Sequence, residues 1–192
     1  MSSLSLEELN PVKVSIHQFY GIEINDFACA VATTALWIAE SQMLHETEEI
    51  IHRDIDFLPL KSNSNIVEGN ALRMDWNNVV LCTELNYIMG NPPFVGHQYR
   101  TEEQVEDLKI AFHDLDKHGK LDFVCGWYNK AVDYIGDTEI QVAFVSTNSI
   151  CQGESVSILW SFLFNKGVVI NFAYRTFIWN SEALDKAHVH CV

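Results

Sequence analysis

YIMGNPPF, residues 87–94, joins a short β-like apolar run to Gly90 and then to two consecutive prolines followed by an aromatic ring. An Asn, Asp or Ser followed by Pro-Pro and an aromatic arises by chance at roughly one position in 10⁴, so about one or two chains in a hundred of this length carry it by accident. Two prolines fix φ twice, remove two backbone donors and hold the preceding residue extended. What remains is a stiff corner that offers carbonyl acceptors and the Asn91 side-chain oxygen, with Phe94 as a flat surface beside them. An exocyclic amine on a planar ring, with two N–H donors, fits that arrangement. A proline turn after a strand is the plainer use of the same residues.

Working outward from this corner, short β-like runs alternate with helical periodicity. His17–Ile22 predicts a strand that runs into Glu23, and the Ala-rich periodic stretch from Asn25 to about Leu44 predicts a helix. Residues 45–64 read as a connection. Asn65–Leu72 and Leu85–Met89 predict strands, each ending in a polar turn, Gly69-Asn70 and Gly90-Asn91-Pro92-Pro93. Thr101 to about His113 and Asp122–Ile135 predict helices, the first with Thr101 as N-cap. Gln141–Val145 is β-rich, Glu154–Phe164 helical, Gly167 opens another apolar run over Val168–Phe172, and Ala187–Val192 is β-like. Strands alternating with helices imply an α/β fold with a mostly parallel sheet, whose ligand crevice lies at the carboxyl ends of the strands. The polar residues just named fall at those ends.

The chain has 192 residues, 48 % of them apolar, a length that suggests one domain. No run of about 18 apolar residues that could span a bilayer is read in the chain, and the N-terminal segment lacks the order of a signal peptide, so the expectation is a cytoplasmic protein with no membrane partner. Five scattered cysteines without a CxxC pair predict reduced, mostly buried thiols rather than disulfides. The eight histidines, His97, His188 and His190 among them, show no metal-ligand spacing, and no metal is expected. Asp plus Glu outnumber Lys plus Arg by 26 to 12, for a net charge of −14. Phosphate binding requires a basic surface, so this chain by itself is expected to grip nucleic acid poorly.

Six blocks carry a resemblance: QFYGIEINDFA (18–28), NIVEGNALRMDW (65–76), YIMGNPPFVGHQYR (87–100), LDFVCGWYNKAVDYI (121–135), AFVSTNSICQGESVSILW (143–160) and FAYRTFIWNSEALDKAHVHCV (172–192). In this order they resemble the amino-methyltransferases with an (Asp/Asn/Ser)-Pro-Pro-aromatic loop, specifically the adenine-N6 DNA methyltransferases. The methyltransferase region of large bifunctional type II restriction-modification enzymes of the MmeI type is the nearest likeness.

The resemblance implies a class I, Rossmann-like fold and S-adenosylmethionine as cofactor. It implies methyl transfer to the N6 amine of adenine in DNA within a restriction-modification system. By likeness, Glu23 receives hydrogen bonds from the cofactor ribose and Ile24 packs on its adenine. Asn70 reads the cofactor's adenine amine, the Ala71 backbone its ring, and Asp75 is a nearby alternative. Asp122 lies toward the methionine end of the cofactor, a helix cap being its other use. Asn91 and the Pro92 carbonyl hold the target amine, Phe94 stacks on the target ring, and Phe177 is preferred over Trp179 as a second aromatic wall.

Residues 1–17 contain no glycine, whereas the family has a first strand and a Gly-rich turn before the Glu23 strand. That strand lies mid-sheet in the family, so the expected architecture is an incomplete methyltransferase domain over residues 1–192, with unpaired inner edges and no target-recognition domain. On this reading the chain alone has negligible activity, and DNA is engaged through the remainder of the enzyme. Two other functions share the motif or the scaffold: methylation of RNA or of a protein glutamine amide, and a non-catalytic methyltransferase scaffold that binds a basic partner.

Overall fold

The computed structural model describes residues 12–52, 54–55, 65–178 and 190–192. Where one domain is suggested by length, the chain gathers into two compact units, Met1–Ala71 and Leu72–Val192.

In the first unit, Ile16–Gln18 forms a 3-10 turn where the sequence suggests the start of a strand, and β1 is Tyr20–Glu23. A capping box fixes that turn: Gln18 Oε1 accepts from the Ser15 amide at 2.9 Å. Asn25 then caps α1, Asp26–Ile51, by accepting from the Ala28 amide at 3.2 Å. The helix runs well past Leu44, and His45 there lies 3.7 Å from Glu48 and 3.5 Å from Glu49, at helical spacing. It ends at His52, which adopts the left-handed conformation with φ 52°. β2, Asn65–Glu68, is shorter than the run read from sequence and pairs with β1 in parallel, Glu23 opposite Glu68.

No residue of α1 is buried in this chain, and Phe27, Val31, Ile38, Met43 and Ile50 are exposed. With 26 residues and an 18-residue window of mean hydropathy 1.2, α1 is long and apolar enough to cross a membrane by length and composition. This corrects the expectation that no such segment exists. Thr33, Thr34 and Glu40 interrupt every apolar run, yet the mean stays high because alanines and large apolar residues fill the positions between them.

The second unit holds the packed core. β3, Tyr87–Gly90, pairs in parallel with β4, Gln141–Phe144. Three helices follow: α2, Glu102–Ala111, α3, Cys125–Ile135, and α4, Glu154–Asn165. Thr101 caps α2 as read from sequence, accepting from the Gln104 amide at 3.2 Å within a capping box. Leu72, Leu108, Phe112, Val124, Leu159 and Leu163 are at most 1 % exposed and lie in one cluster. Each such side chain contributes roughly 1.5–3 kcal/mol of transfer free energy. Gly126 suits close packing at this spot, since a Cβ there would sit 3.0 Å from Leu108 and 3.1 Å from Leu72 and would press both side chains aside.

Charge is handled locally around this core. Lys166 reaches Asn129 Oδ1 at 2.9 Å, Asp133 at 2.7 Å and Asp114 at 3.3 Å, with its ammonium 4.6 Å from the Phe162 ring. Buried Asn129 is thereby satisfied, which an interior amide requires.

The apolar run Val168–Phe172 is not a strand: among the described residues no strand pairs with it, and Val169, Ile170 and Phe172 are exposed. In the final run, whose residues 187–189 lie outside the described residues, His190–Cys191 forms β6 and pairs antiparallel with β5, Phe177–Ile178. Instead of one sheet, the described residues form three two-stranded pairs, two parallel and one antiparallel. No described strand joins β1 to β3.

All five cysteines are free. Only Cys125 and Cys191 are fully buried, so the expectation of mostly buried thiols holds for these two, while Cys151 is exposed. Burial first, and then the charge of Asp122, pushes the Cys125 thiol up to about 12. Only the thiolate attacks alkylating reagents, so at pH 8 the reactive fraction of Cys125 is very small. Native protein treated with iodoacetamide at pH 8 should be labelled at Cys151, with Cys125 modified only after denaturant is added. Peptide mass mapping reads the outcome, and prompt native labelling of Cys125 would contradict the packing described.

Candidate active site

The second unit places Asn91 directly beyond the carboxyl end of β3. The Gly90 carbonyl accepts from the Val145 amide at 3.0 Å, so strand pairing persists to the last residue before the corner. Asn91 and Pro93 are exposed, Pro92 is buried, and Phe94 is half-buried. The buried proline anchors the corner while its neighbour presents an amide outward. Among the described residues the Asn91 side chain makes no hydrogen bond, so its oxygen is available to an incoming donor.

Asp122 stands next to this corner rather than at a helix cap. α3 begins at Cys125 with Val124 as N-cap, and the Asp122 contribution to that helix is its backbone carbonyl, which accepts from the Cys125 amide at 3.0 Å. The carboxylate does other work. Oδ1 accepts from the His97 amide at 2.9 Å, and Oδ2 accepts from Thr147 Oγ1 at 3.5 Å. His97 Nδ1 lies 3.9 Å from Oδ1. The peptide at His97 is held from its other side by Arg100, whose Nε donates to the His97 carbonyl at 3.2 Å and whose Nη2 donates to the Gly119 carbonyl at 2.6 Å. Desolvation lowers the Arg100 pKa, with Asp122 opposing that shift. One more backbone bond, Phe123 N to the Val95 carbonyl at 2.9 Å, fastens the loop.

Phe177 sits in β5, opposite Cys191, and is exposed. Cys191 in turn forms a bridge to Thr147, beyond the end of β4. The buried Ser146 beside it exchanges backbone bonds with Val192, at 3.1 and 2.9 Å, and its hydroxyl lies 2.8 Å from Tyr128 Oη. Trp179 and His188 lie outside the described residues.

In the first unit, Glu23 ends β1 and Ile24 follows it, 71 % exposed. The Glu23 carbonyl accepts from the Gly69 amide at 2.7 Å, which places the β2 turn and Asn70 against the end of β1. Ala71 closes this unit. Both Asn70 and Ala71 take part in interactions within the structure. The Cys29 thiol is raised by desolvation and then by Glu68, Glu23 and Asp26, which records a local concentration of negative charge at these strand ends. A carboxylate beside an exposed isoleucine and a turn amide is a donor set that fits a nucleoside, ribose diol on the acid and base on the aliphatic side chain. The surrounding acids fit a cationic remainder.

Asp75 has a local role, accepting from the Asn77 amide at 3.0 Å as the cap of a 3-10 turn. A shallow hollow lies by this residue, lined by Asp75, Trp76, Lys130, Asp133 and Tyr134 and not by Asn91 or Phe94. Its floor is a structural contact, Tyr134 Oη donating to the Val80 carbonyl at 2.7 Å. Sequence reasoning missed Thr147 and Arg100, whose side chains act only through contacts distant in sequence.

The sequence profile of the family described as "MmeI, DNA-methyltransferase domain" matches residues 2–192. The chain belongs to this family. It is 41 % identical over 186 residues to DNA methyltransferase A of Bacillus subtilis (strain 168), an alignment covering 95 % of this chain and 21 % of that protein. It is also similar to the type IIL restriction-modification enzyme MmeI, solved in complex with DNA, with a TM-score of 0.90 and 43 % identity over 99 % of this chain and 25 % of that one. The chain thus spans about a fifth to a quarter of the length of these relatives.

Proposed function

We propose that this chain forms the core of an S-adenosylmethionine-dependent DNA methyltransferase acting on the N6 amine of adenine, as one region of a longer cytoplasmic restriction-modification enzyme. Membership of the MmeI methyltransferase family supports the reaction class, and the outward-facing Asn91 on its buried proline anchor is the observation that carries the acceptor. The two parallel strand pairs, with polar turns at their carboxyl ends, are what a Rossmann-like sheet supplies.

The amine of adenine is a poor nucleophile because its lone pair is delocalised into the ring. Asn91 Oδ1 and the Pro92 carbonyl accept its two N–H groups and favour a pyramidal nitrogen, an interaction that strengthens toward the transition state. Phe94 stacks on the target ring, with Phe177 as the second wall. A base reaches them only out of the duplex, at a cost of a few kcal/mol that such stacking offsets. In the first unit Glu23 holds the ribose, Ile24 packs on the cofactor adenine, and Asn70 with the Ala71 backbone reads its edge. S-adenosylmethionine supplies a methyl group already activated on a sulfonium, so the protein's main task is alignment.

With 26 acidic against 12 basic residues, the grip on DNA phosphates comes from the rest of the enzyme. We read α1 as a domain helix and not a membrane span, because Glu40 near its middle accepts from the Ile16 amide at 3.1 Å and the DNA-bound relative aligns over 99 % of this chain.

The test is nucleoside analysis of unmethylated DNA incubated with the full-length enzyme and methyl-labelled cofactor. Label in N6-methyladenine is expected. Label confined to RNA or to glutamine of a protein acceptor, or no transfer at all, would replace this reading with one of its alternatives.

A further inference from the structure

We infer that Asp122 is a positioning residue that ties the target-amine loop to the strand carrying Phe177, and so sets the spacing of the two walls that receive the base. The inference rests on the function proposed above.

Its basis is a continuous chain of contacts. On one side the Asp122 carboxylate takes the His97 amide at 2.9 Å, three residues beyond Phe94, and Arg100 holds the carbonyl of the same residue at 3.2 Å. On the other side it takes the Thr147 hydroxyl at 3.5 Å, and the Thr147 backbone bridges to Cys191, whose other partner is Phe177. No backbone ladder runs directly between the Asn91 loop and β5 among the described residues. The only described side chain bonded to both the loop after β3 and the turn after β4 is therefore this carboxylate. Its side chain is 13 % exposed, and a charge-assisted bond to a backbone amide at that depth is short and well oriented. Loss of alignment by about an ångström can cost on the order of 10²-fold in rate.

A positioning role and a contact with the cofactor's methionine end predict different kinetics. In the full-length enzyme, Asp122→Ala should lower kcat for methyl transfer to unmethylated DNA by about 30- to 100-fold. Affinity for S-adenosylmethionine, measured by calorimetry, should stay within about twofold, because uniform binding is untouched. Thr147→Val, which removes the hydroxyl link to Asp122 together with the 2.6 Å contact between that hydroxyl and Ser149 Oγ, should lower kcat by about 5- to 10-fold, Ser149→Ala, which removes the Ser149 contact alone, should leave kcat within about twofold, and Asp122→Asn, which keeps one acceptor, should fall between Asp122→Ala and Thr147→Val. The Thr147→Val result also covers the case in which Asp122→Ala fails to fold. A tenfold loss of cofactor affinity with kcat preserved would overturn the inference in favour of a cofactor contact. Unchanged kcat in both Asp122→Ala and Thr147→Val would overturn it outright. If the unaltered enzyme makes no N6-methyladenine, the function proposed above fails first and this inference falls with it.

Discussion

Asn91→Ala in the full-length enzyme should lower kcat by about 10²- to 10³-fold, the usual consequence of deleting one polar group that stabilises a transition state. The substitution removes an acceptor that faces outward at the end of β3 and makes no hydrogen bond within the described residues. No internal partner is stranded by its loss, so the fold should be indifferent. Thermal denaturation should shift by less than a degree or two, the scale of an exposed substitution away from any cap or core. KM for the cofactor should hold, since Glu23, Ile24 and Asn70 belong to the other unit. Rapid-quench measurement of a single turnover isolates the chemical step. A variant that turns over within threefold of the unaltered enzyme would identify the corner as a turn and nothing more.

Leu108→Ala should have the largest effect on stability, about 2–5 kcal/mol. Leu108 is fully buried, and its Cδ2 packs so near Gly126 that a Cβ there would lie 3.0 Å from it. Packing that tight relaxes poorly around a deleted group, so a cavity remains and its cost adds to the lost transfer energy. Urea denaturation followed by fluorescence measures this, with the midpoint falling and the slope unchanged. A loss below about 1 kcal/mol would mean that α2 and α3 are not packed as described.

The polar turns at the strand ends are legible in the sequence because their chemistry is local. Gly-Asn-Pro-Pro cannot continue a strand, and Gly69-Asn70 is a turn whatever surrounds it. Helix starts marked by caps, Asn25 and Thr101, were legible for the same reason. What sequence misplaced depended on partners. Four of the five residues of Val168–Phe172 favour β structure, Asn171 being the exception, yet strand formation requires a neighbouring strand, and the described residues supply none. The polar stretch after Leu44 reads as a break, while the i+3 and i+4 placement of Glu48 and Glu49 relative to His45 suits a continuing helix.

At the site the division is the same. Asn91, Pro92 and Phe94 announce themselves in one motif. Asp122 was visible as an acid before a helix, but its bonds to His97 and Thr147 span 25 residues in each direction. Only the tertiary structure brings them together.

The central claim is that the diproline corner receives an adenine amine. A structure of the full-length enzyme bound to its DNA and to sinefungin, a methyl-less cofactor analogue, tests it most directly. The account predicts a target adenine outside the duplex, its N6 about 2.7–3.2 Å from both Asn91 Oδ1 and the Pro92 carbonyl, with Phe94 against the ring. A base left stacked in the helix, or an extruded base whose amine lies beyond hydrogen-bond reach of Asn91, would contradict it.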